Sequence, residues 1–410
     1  MAERTSDVVI VGGGPAGMIA GLLFARAGIE TVVLEKHADF LRDFRGDTIH
    51  PSTLQVFDEL GLLDRLLARD HVKVSELHAR VAGENLAVAD FSHLPVAAPY
   101  IALMPQWDFL DFVAETAARY PSFALERRTE AVAAVRTGGR VTGVRTAEGD
   151  VFTARKLVIA ADGRGSTLRA GSGLPLETIG APMDVFWFRL PKEADPENET
   201  VGVFDAGRIF VLIDRRDYWQ CAFVFAKGRA EAIRAEGIDA FRERVAAIGP
   251  ETARADAIGS WDDVKLLTVT VDRLTQWHEP GLLFIGDAAH AMSPIGGVGI
   301  NLAIQDAIAA ANILAGKIAA GEDADPLLKR VQQRRMMPTR ITQAMQKLIQ
   351  DRVIAPLLDD ATTLERPPAL LDLLGHWPRL RRLPARIVGL GVRPEHVHSP
   401  DRGTARATLR

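Results

Sequence analysis

The sequence predicts an α/β fold: a parallel sheet built on a Rossmann-like strand–turn–helix unit, a mixed or antiparallel sheet inserted into it, and a helical C-terminus. Three observations predict it. Short, β-branched apolar runs ended by glycine or acid recur far apart, at Asp7–Val11, Thr31–Glu35, Leu157–Ala161 and Leu282–Ile285, as strands buried on both faces read. The first of them runs into Gly12-Gly13-Gly14-Pro15-Ala16-Gly17 and then an apolar helix pattern. From about Ala181 the pattern changes to aromatic-rich runs separated by turn signals, which suits an antiparallel sheet with one covered face.

In chain order, Asp7–Val11 is a strand and Pro15–Ala27 a helix with proline in its first turn, where a missing N–H costs nothing. Thr31–Glu35 completes a βαβ unit. Pro51–Arg69 is expected as one helix carrying Leu54, Phe57, Leu60 and Leu63 on one face. Another helix is expected from Asp108 to Arg119. Phe123–Ala160 reads as strand, hairpin, strand, turning at Gly138-Gly139 and at Glu148-Gly149-Asp150. Strands follow at Asp184–Leu190, Arg208–Asp214, Tyr218–Ala226 and Val264–Asp272, with a hairpin turn at Arg215–Asp217 and a helix over Arg229–Ile248. After Leu282–Ile285, helices are expected over Val298–Ala320 and Pro326–Asp351, then a Pro- and Arg-containing helical tail.

The chain has 410 residues, 47% hydrophobic and 25% charged, with a net charge of −4. That composition excludes a disordered, collagen-like or rod-like chain and argues against a dedicated nucleic-acid binder. The single cysteine, Cys221, excludes an intrachain disulfide and suits a reducing, cytoplasmic setting. Val8–Ala25 is uncharged, but Gly12, Gly13, Gly14 and Pro15 divide it into strand and helix, so neither export nor membrane insertion is expected; no other stretch reads as long enough to span.

Three motifs carry chemistry. In the first, Gly12 permits a tight turn, Gly14 lets backbone approach a pyrophosphate, and Gly17 lets the helix pack close to the strand. The helix N-terminus around Ala16 offers free N–H groups to phosphate. Glu35, followed by Lys36, ends the second strand, where a carboxylate accepts ribose hydroxyls; the bound nucleotide is therefore NAD or FAD. The second motif is Asp162-Gly163-Arg164-Gly165-Ser166 with Arg169 beyond it. The third is Gly286-Asp287-Ala288-Ala289-His290, continuing through Pro294-Ile295-Gly296-Gly297-Val298-Gly299-Ile300-Asn301. An acid at a strand's C-terminal edge suits a hydroxyl chain, and the helix after it aims its positive end at whatever lies beyond. A flavin fits both: Asp287 on the ribityl chain, the helix near the pyrimidine carbonyl.

In this order and spacing the motifs resemble those of the single-component, class A FAD-dependent aromatic monooxygenases, the para-hydroxybenzoate hydroxylase-like family. The resemblance spans roughly residues 6–345. It implies an FAD-binding domain over 1–75, 97–180 and 276–345, a substrate-binding sheet domain over 76–96 and 181–275, and a C-terminal helical segment over 346–410. It implies that Glu35 binds the adenosine ribose, that Arg45 and Gln106 touch the cofactor, and that Asp162 serves FAD and NAD(P)H. It further implies that Asp287 binds the pyrophosphate–ribityl region, that N–H groups of Gly299, Ile300 and Asn301 face the flavin, and that Pro294 lies over its reactive face. The implied reaction uses NAD(P)H and O2 to hydroxylate an aromatic small molecule through a flavin C4a-hydroperoxide. With only Tyr100, Tyr120 and Tyr218, the family's tyrosine relay for a phenol acid is not visible. The Phe- and Trp-rich sheet suggests a larger, more apolar ring system, although its rings (Phe186, Trp187, Phe188, Phe210, Trp219, Phe223 and Phe225) individually read as core more often than pocket. The chain is also too short for the thioredoxin-like domain of longer relatives.

The alternatives are a prenyl reductase-like flavoprotein and a non-catalytic FAD module; the W-x-W-x-I-P string of flavin halogenases is absent. His50, in Asp47-Thr48-Ile49-His50-Pro51, is either a base toward a ring hydroxyl or a helix-start residue bonded to backbone. His290 reads as structural. His396 and His398 lack partners at metal-ligand spacing, and no metal site is expected. The acid-free run containing Arg379, Arg381, Arg382, Arg386 and Arg393 suits either an anionic membrane surface or a solvated or dimer-facing segment; a homodimer is one expected assembly.

Overall fold

Five parallel strands form the spine, in the spatial order Leu282–Phe284, Val151–Ala160, Glu3–Val11, Thr31–Glu35, Phe123–Arg127. The structure, a computed structural model, describes residues 3–41, 48–81, 83–192, 201–205, 208–215, 217–248, 254–358, 367 and 369–402. Val8, Val9 and Ile10 are all fully buried because both faces of the sheet are covered. On one face lie the helices Pro15–Arg26, Gln106–Ala117 and Val298–Ala319, packed around Ile19, Leu23, Phe109, Ile304 and Ile308. On the other lie Leu168, Trp277 and the hairpin Ala131–Thr137/Arg140–Thr146. That hairpin turns on Gly138 and Gly139, both with positive φ (58° and 83°), as its twist requires.

The register sets the functional edge. Val11 pairs with Ala160 and with Leu34, and Ala160 pairs with Phe284. The C-terminal ends of four neighbouring strands are therefore level, and the chain leaves each of them at a motif.

The second sheet has seven strands, ordered Lys265–Leu267, Met183–Pro191, Tyr218–Ala226, Arg208–Asp214, Val201–Asp205, Glu76–Val81, Glu84–Asp90. It is mixed, since Val201–Asp205 runs parallel to Glu76–Val81. Residues 76–90 and 183–226 thus share one sheet.

Several expectations are corrected by backbone chemistry. The helix expected over Pro51–Arg69 is two, Pro51–Glu59 and Leu63–Leu67, broken at Gly61 with φ 68°. The helix expected over Arg229–Ile248 is likewise Ala230–Ala235 and Ile238–Ile248, broken at Gly237 with φ 93°. The single strand expected over Val264–Asp272 is two short ones, Lys265–Leu267 and Asp272–Leu274, in different sheets. Residues 295–319 also form a helix apolar enough to span a membrane, with mean hydropathy 1.5. Four-fifths of it is buried against protein, as the core helix of this sheet.

In the aromatic sheet most of the rings are core. Phe186, Phe188, Phe210, Trp219, Phe223 and Phe225 do not line a pocket. They turn outward and pack under the Ile238–Ile248 helix, where Phe241 meets Phe186, Phe188 and Phe223 at 5.7, 5.5 and 5.5 Å, edge-on. Of the aromatics named from the sequence, Trp187 alone joins Val185, Ile209, Val211, Ala222 and Val224 on the inner face, which meets Ile295, Ile354 and Leu357.

Beyond the Asp325–Ile349 helix the chain makes a π-helical turn, Gln350–Ile354. The helices Ala369–His376 and Arg382–Leu390 pack on the edge strand Glu84–Asp90. Residues 395–402 then strap back across the first layer. His398 N–H donates to Asn312, Val397 N–H to Glu59, and Arg402 N–H to the Arg26 carbonyl.

Candidate functional site

The glycine-rich turn is fixed by close approach. At Gly12, φ is +105° and an added Cβ would sit 2.3 Å from the Ala161 carbonyl oxygen. At Gly17 it would sit 1.9 Å from the Gly12 carbonyl oxygen. Gly14 differs, because nothing lies within 4 Å of its Cβ position. It is the N-cap of the Pro15–Arg26 helix, with no side chain capping it. Uncapped first-turn N–H groups thus face room in front of Gly14, and Ala16 stands in that first turn.

Glu35 is buried at 8% exposure; its Oε2 accepts from Gly13 N–H at 3.0 Å and its Oε1 from His37 N–H at 2.9 Å. A carboxylate has about four lone-pair sites, so it can pin the turn and still accept from ribose hydroxyls. Lys36, the next residue, is exposed. Arg45 and Asp47 lie outside the described residues. Gln106 is the half-buried first residue of its helix, which begins there and not at Asp108.

The second and third motifs meet across the strand ends. Arg164 Nε donates to Asp287 Oδ2 at 3.1 Å. Arg169 Nη1 donates to Asp272 Oδ1 at 3.1 Å, and its Nη2 donates to the Arg164 carbonyl. Asp162 accepts from Leu168 N–H, its Oδ1 is buried without a partner among the described residues, and burial pushes its pKa up. A buried acceptor left over beside the glycine turn is what a cofactor's hydroxyl or N–H would satisfy.

At the third motif the Val298–Ala319 helix starts at Gly297, left-handed at φ 61°, again with no side-chain cap. A Cβ on Gly297 would sit 2.3 Å from Thr48 Oγ1. The Asn301 side chain is fully engaged. Its Oδ1 accepts from His50 N–H (2.9 Å) and Thr53 Oγ1 (2.8 Å), and its Nδ2 donates to the carbonyls of Thr48 (3.0 Å) and Gly297 (3.2 Å). What Gly299, Ile300 and Asn301 can offer a ligand is therefore backbone. Pro294 is half-buried, and its carbonyl accepts from Gly297 N–H at 3.0 Å.

His50 is fully buried at the start of the Pro51–Glu59 helix. Its Nδ1 lies 2.8 Å from the Val388 carbonyl, which only accepts, so Nδ1 carries the proton. Its Nε2 has no partner among the described residues. Burial lowers its pKa to about 4, outweighing the Val388 bond, which raises it. A neutral imidazole with that pKa is a weak base toward a phenol, whose own value is about 10. His50 lines a cavity of about 90 Å³ together with Ile295, Asn301, Gln305, Ile349 and Val388.

One network was invisible in the sequence. His290 Nε2 and Asp306 Oδ2 are 2.6 Å apart, Arg335 Nε donates to Asp306 Oδ1 at 2.9 Å, and Arg335 Nη1 donates to Glu395 at 3.2 Å. Gly286 N–H also donates to Asp306 (3.1 Å). Burial would raise the Asp306 pKa, but His290 and Arg335 together hold it below the usual range. In this network His290 braces the third motif from behind. His396, tempting as a metal ligand, pairs with Glu59 at 2.5 Å.

The arrangement can hold an extended dinucleotide, with its pyrophosphate at one uncapped helix and its far ring at the other. Comparisons with known proteins agree. Residues 5–345 match the model of a family described as FAD binding domain. The chain is 32% identical to the 6-methylpretetramide 4-monooxygenase of Streptomyces rimosus, over 90% of this chain and 91% of that protein. It is 26% identical to the dialkyldecalin synthase of Streptomyces rugosporus, over 74% of this chain but only 64% of that protein's length. The p-nitrophenol 4-monooxygenase structure from Pseudomonas putida DLL-E4 superposes with a TM-score of 0.76 at 21% identity, covering 96% of this chain and all of that one.

Proposed function

We propose, for a chain that belongs to the FAD-binding-domain family of flavoprotein monooxygenases, that it hydroxylates a fairly apolar, multi-ring aromatic molecule with FAD bound and NAD(P)H and O2 consumed. The observation that carries this reading is the level edge of four parallel strands, where all three motifs converge between two uncapped helix N-termini. The similarity to the 6-methylpretetramide enzyme, over nearly the whole of both chains, supports a polycyclic substrate. So does the apolar inner sheet face opposite Ile295.

The residues divide the work. Gly14 and Ala16 present first-turn N–H groups to the pyrophosphate, Gly12 and Gly17 let strand and helix pack closely enough to place them, and Glu35 accepts from the adenosine ribose. Lys36 flanks that end, and Gln106, at the start of its helix, touches the cofactor. Asp162 and Asp287, the latter held by Arg164, take the hydroxyl chain. Gly299, Ile300 and Asn301 turn their N–H groups toward the ring's pyrimidine edge, stabilising negative charge there. Pro294 forms the wall over the reacting face, and Val185, Trp187, Val211 and Ala222 exclude water opposite it. Bound FAD supplies the redox chemistry and the activation of O2. His50 serves by fixing the Pro51–Glu59 helix against the Arg382–Leu390 helix.

Anaerobic titration of the purified holoenzyme with NADPH and with NADH tests this reading. Flavin absorbance should bleach slowly alone and faster with a polycyclic phenol present, and air should then yield a hydroxylated product. Failure to retain FAD sinks the cofactor assignment. Bound FAD that no aromatic ligand brings to faster reduction or to hydroxylated product favours a cofactor used without oxygenation, as the synthase similarity allows.

A further inference from the structure

The helical pair after residue 366 carries a surface that the reaction does not use. Leu373, Trp377, Leu380 and Leu383 are 44%, 62%, 39% and 64% exposed. They recur at one-turn spacing: Leu373 and Trp377 are i,i+4 in a helical turn closed by Trp377 N–H to Leu373 carbonyl, and Leu380 and Leu383 follow at i+3 steps. Isolated exposed leucines mean little; four apolar side chains with a tryptophan along successive turns form a ridge.

Its surroundings are cationic. Residues 377–393 hold five arginines and no acid, and Arg379, Arg382 and Arg386 are exposed. Among the described residues, Asp372 pairs with His376, and Asp90 pairs with Ser92 and His93, the latter also touching Arg382. The ridge is rigid: Arg381 donates to the carbonyls of Leu374 and Gly375, tying one helix to the next. Gly375 and Gly389 let both pack so closely that a Cβ would lie 2.6 Å from Leu86 in the edge strand and 2.8 Å from Leu94 in the turn after it.

From this juxtaposition we propose that the Leu373–Leu383 ridge docks the enzyme on an anionic lipid surface, the apolar side chains entering the headgroup region and the arginines meeting lipid phosphates. Charge complementarity selects this occupant. A second copy meeting the same face across a two-fold axis would set Arg379, Arg382 and Arg386 against themselves. A bilayer carrying anionic headgroups matches both the tryptophan and the arginines. Docking also has a geometric consequence: Ile387, Val388 and Leu390 of the same helix line the cavity beside Ile295. An apolar molecule dissolved in the bilayer would meet the enzyme on the side where that cavity lies.

Flotation of the holoenzyme with phosphatidylcholine vesicles, with and without phosphatidylglycerol, tests the proposal. Binding is expected only with phosphatidylglycerol and should weaken as salt is raised. Trp377→Ser/Leu383→Ser and, separately, Arg379→Glu/Arg386→Glu should each lose roughly tenfold or more in binding, with FAD content unchanged. No flotation with phosphatidylglycerol overturns the proposal, as does equal binding to phosphatidylcholine alone or binding that both variants retain. A protein that sediments as a dimer, and as a monomer once Trp377→Ser is made, also overturns it and assigns the ridge to a second copy.

Discussion

Single residues in this molecule are distinguished by what surrounds their Cβ position. Gly14 and Gly17 lie in one turn and do opposite things. Gly17→Ala places a methyl 1.9 Å from a backbone oxygen that cannot retreat; the expected outcome is a protein that does not accumulate folded, read by expression and circular dichroism. Gly14→Val meets nothing in the protein, so the chain should fold with an unchanged far-ultraviolet spectrum but lose FAD at least tenfold, read by equilibrium dialysis. The contrast separates a packing glycine from a ligand-facing one. His50 makes a pH statement. Its pKa of about 4 in the fold is below the ordinary 6.5, so the unfolded chain takes up the proton first. Its neutral form is stabilising above pH 6.5, and that advantage drains as pH falls from 6.5 to about 4, on the order of 3 kcal/mol in all. His50→Gln should flatten that limb of the urea midpoint against pH.

At the scale of elements, helix ends and strand edges organise the site. The Val298–Ala319 helix is uncapped in front and anchored behind by Asp306, whose partners come from 290, 335 and, through Arg335, from 395. Asp306→Asn removes the charge facing a fully buried guanidinium; the expected loss is about 3–5 kcal/mol, seen as a lower urea midpoint and weaker flavin retention. Asp287→Asn, on the partly open side, should leave the midpoint within about 0.5 kcal/mol while weakening FAD. What the sequence disclosed follows the same division. The parallel strands and all three motifs were legible because buried strands, glycines and edge acids leave local signatures. The Asp306 network was not, because its members are far apart in sequence and each looks ordinary alone. The outward direction of Phe186, Phe188 and Phe223 was not legible either. Alternation shows that a strand has two faces and leaves open which one a later helix will cover. The breaks at Gly61 and Gly237 were missed because apolar periodicity continues across them.

For the whole molecule, the cofactor is a structural member as well as a reactant. Two helix N-termini and the Asp162 carboxyl face the same edge, so FAD binds the folded form selectively. The melting temperature should climb with FAD concentration, by the equivalent of about 2.7 kcal/mol at a hundredfold excess over Kd, measured by differential scanning fluorimetry; a flat response would mean that the edge is not the FAD site.

The strap has a consequence for how the chain is made. Arg26 ends the Pro15–Arg26 helix, yet its guanidinium donates to the Ser399 carbonyl, 373 residues later. Strand Glu3–Val11 likewise pairs with Val151–Ala160 rather than with near neighbours alone. On the ribosome, the glycine turn and its ribose acid emerge early as a βαβ fragment with one flank of its sheet bare. The buried Asp306–Arg335 pair is closed by Glu395, made 60 residues after Arg335. Vectorial synthesis therefore presents the cofactor's cradle long before the clasp that fixes it, and a nascent chain stalled before residue 395 would expose that bare flank to chaperones.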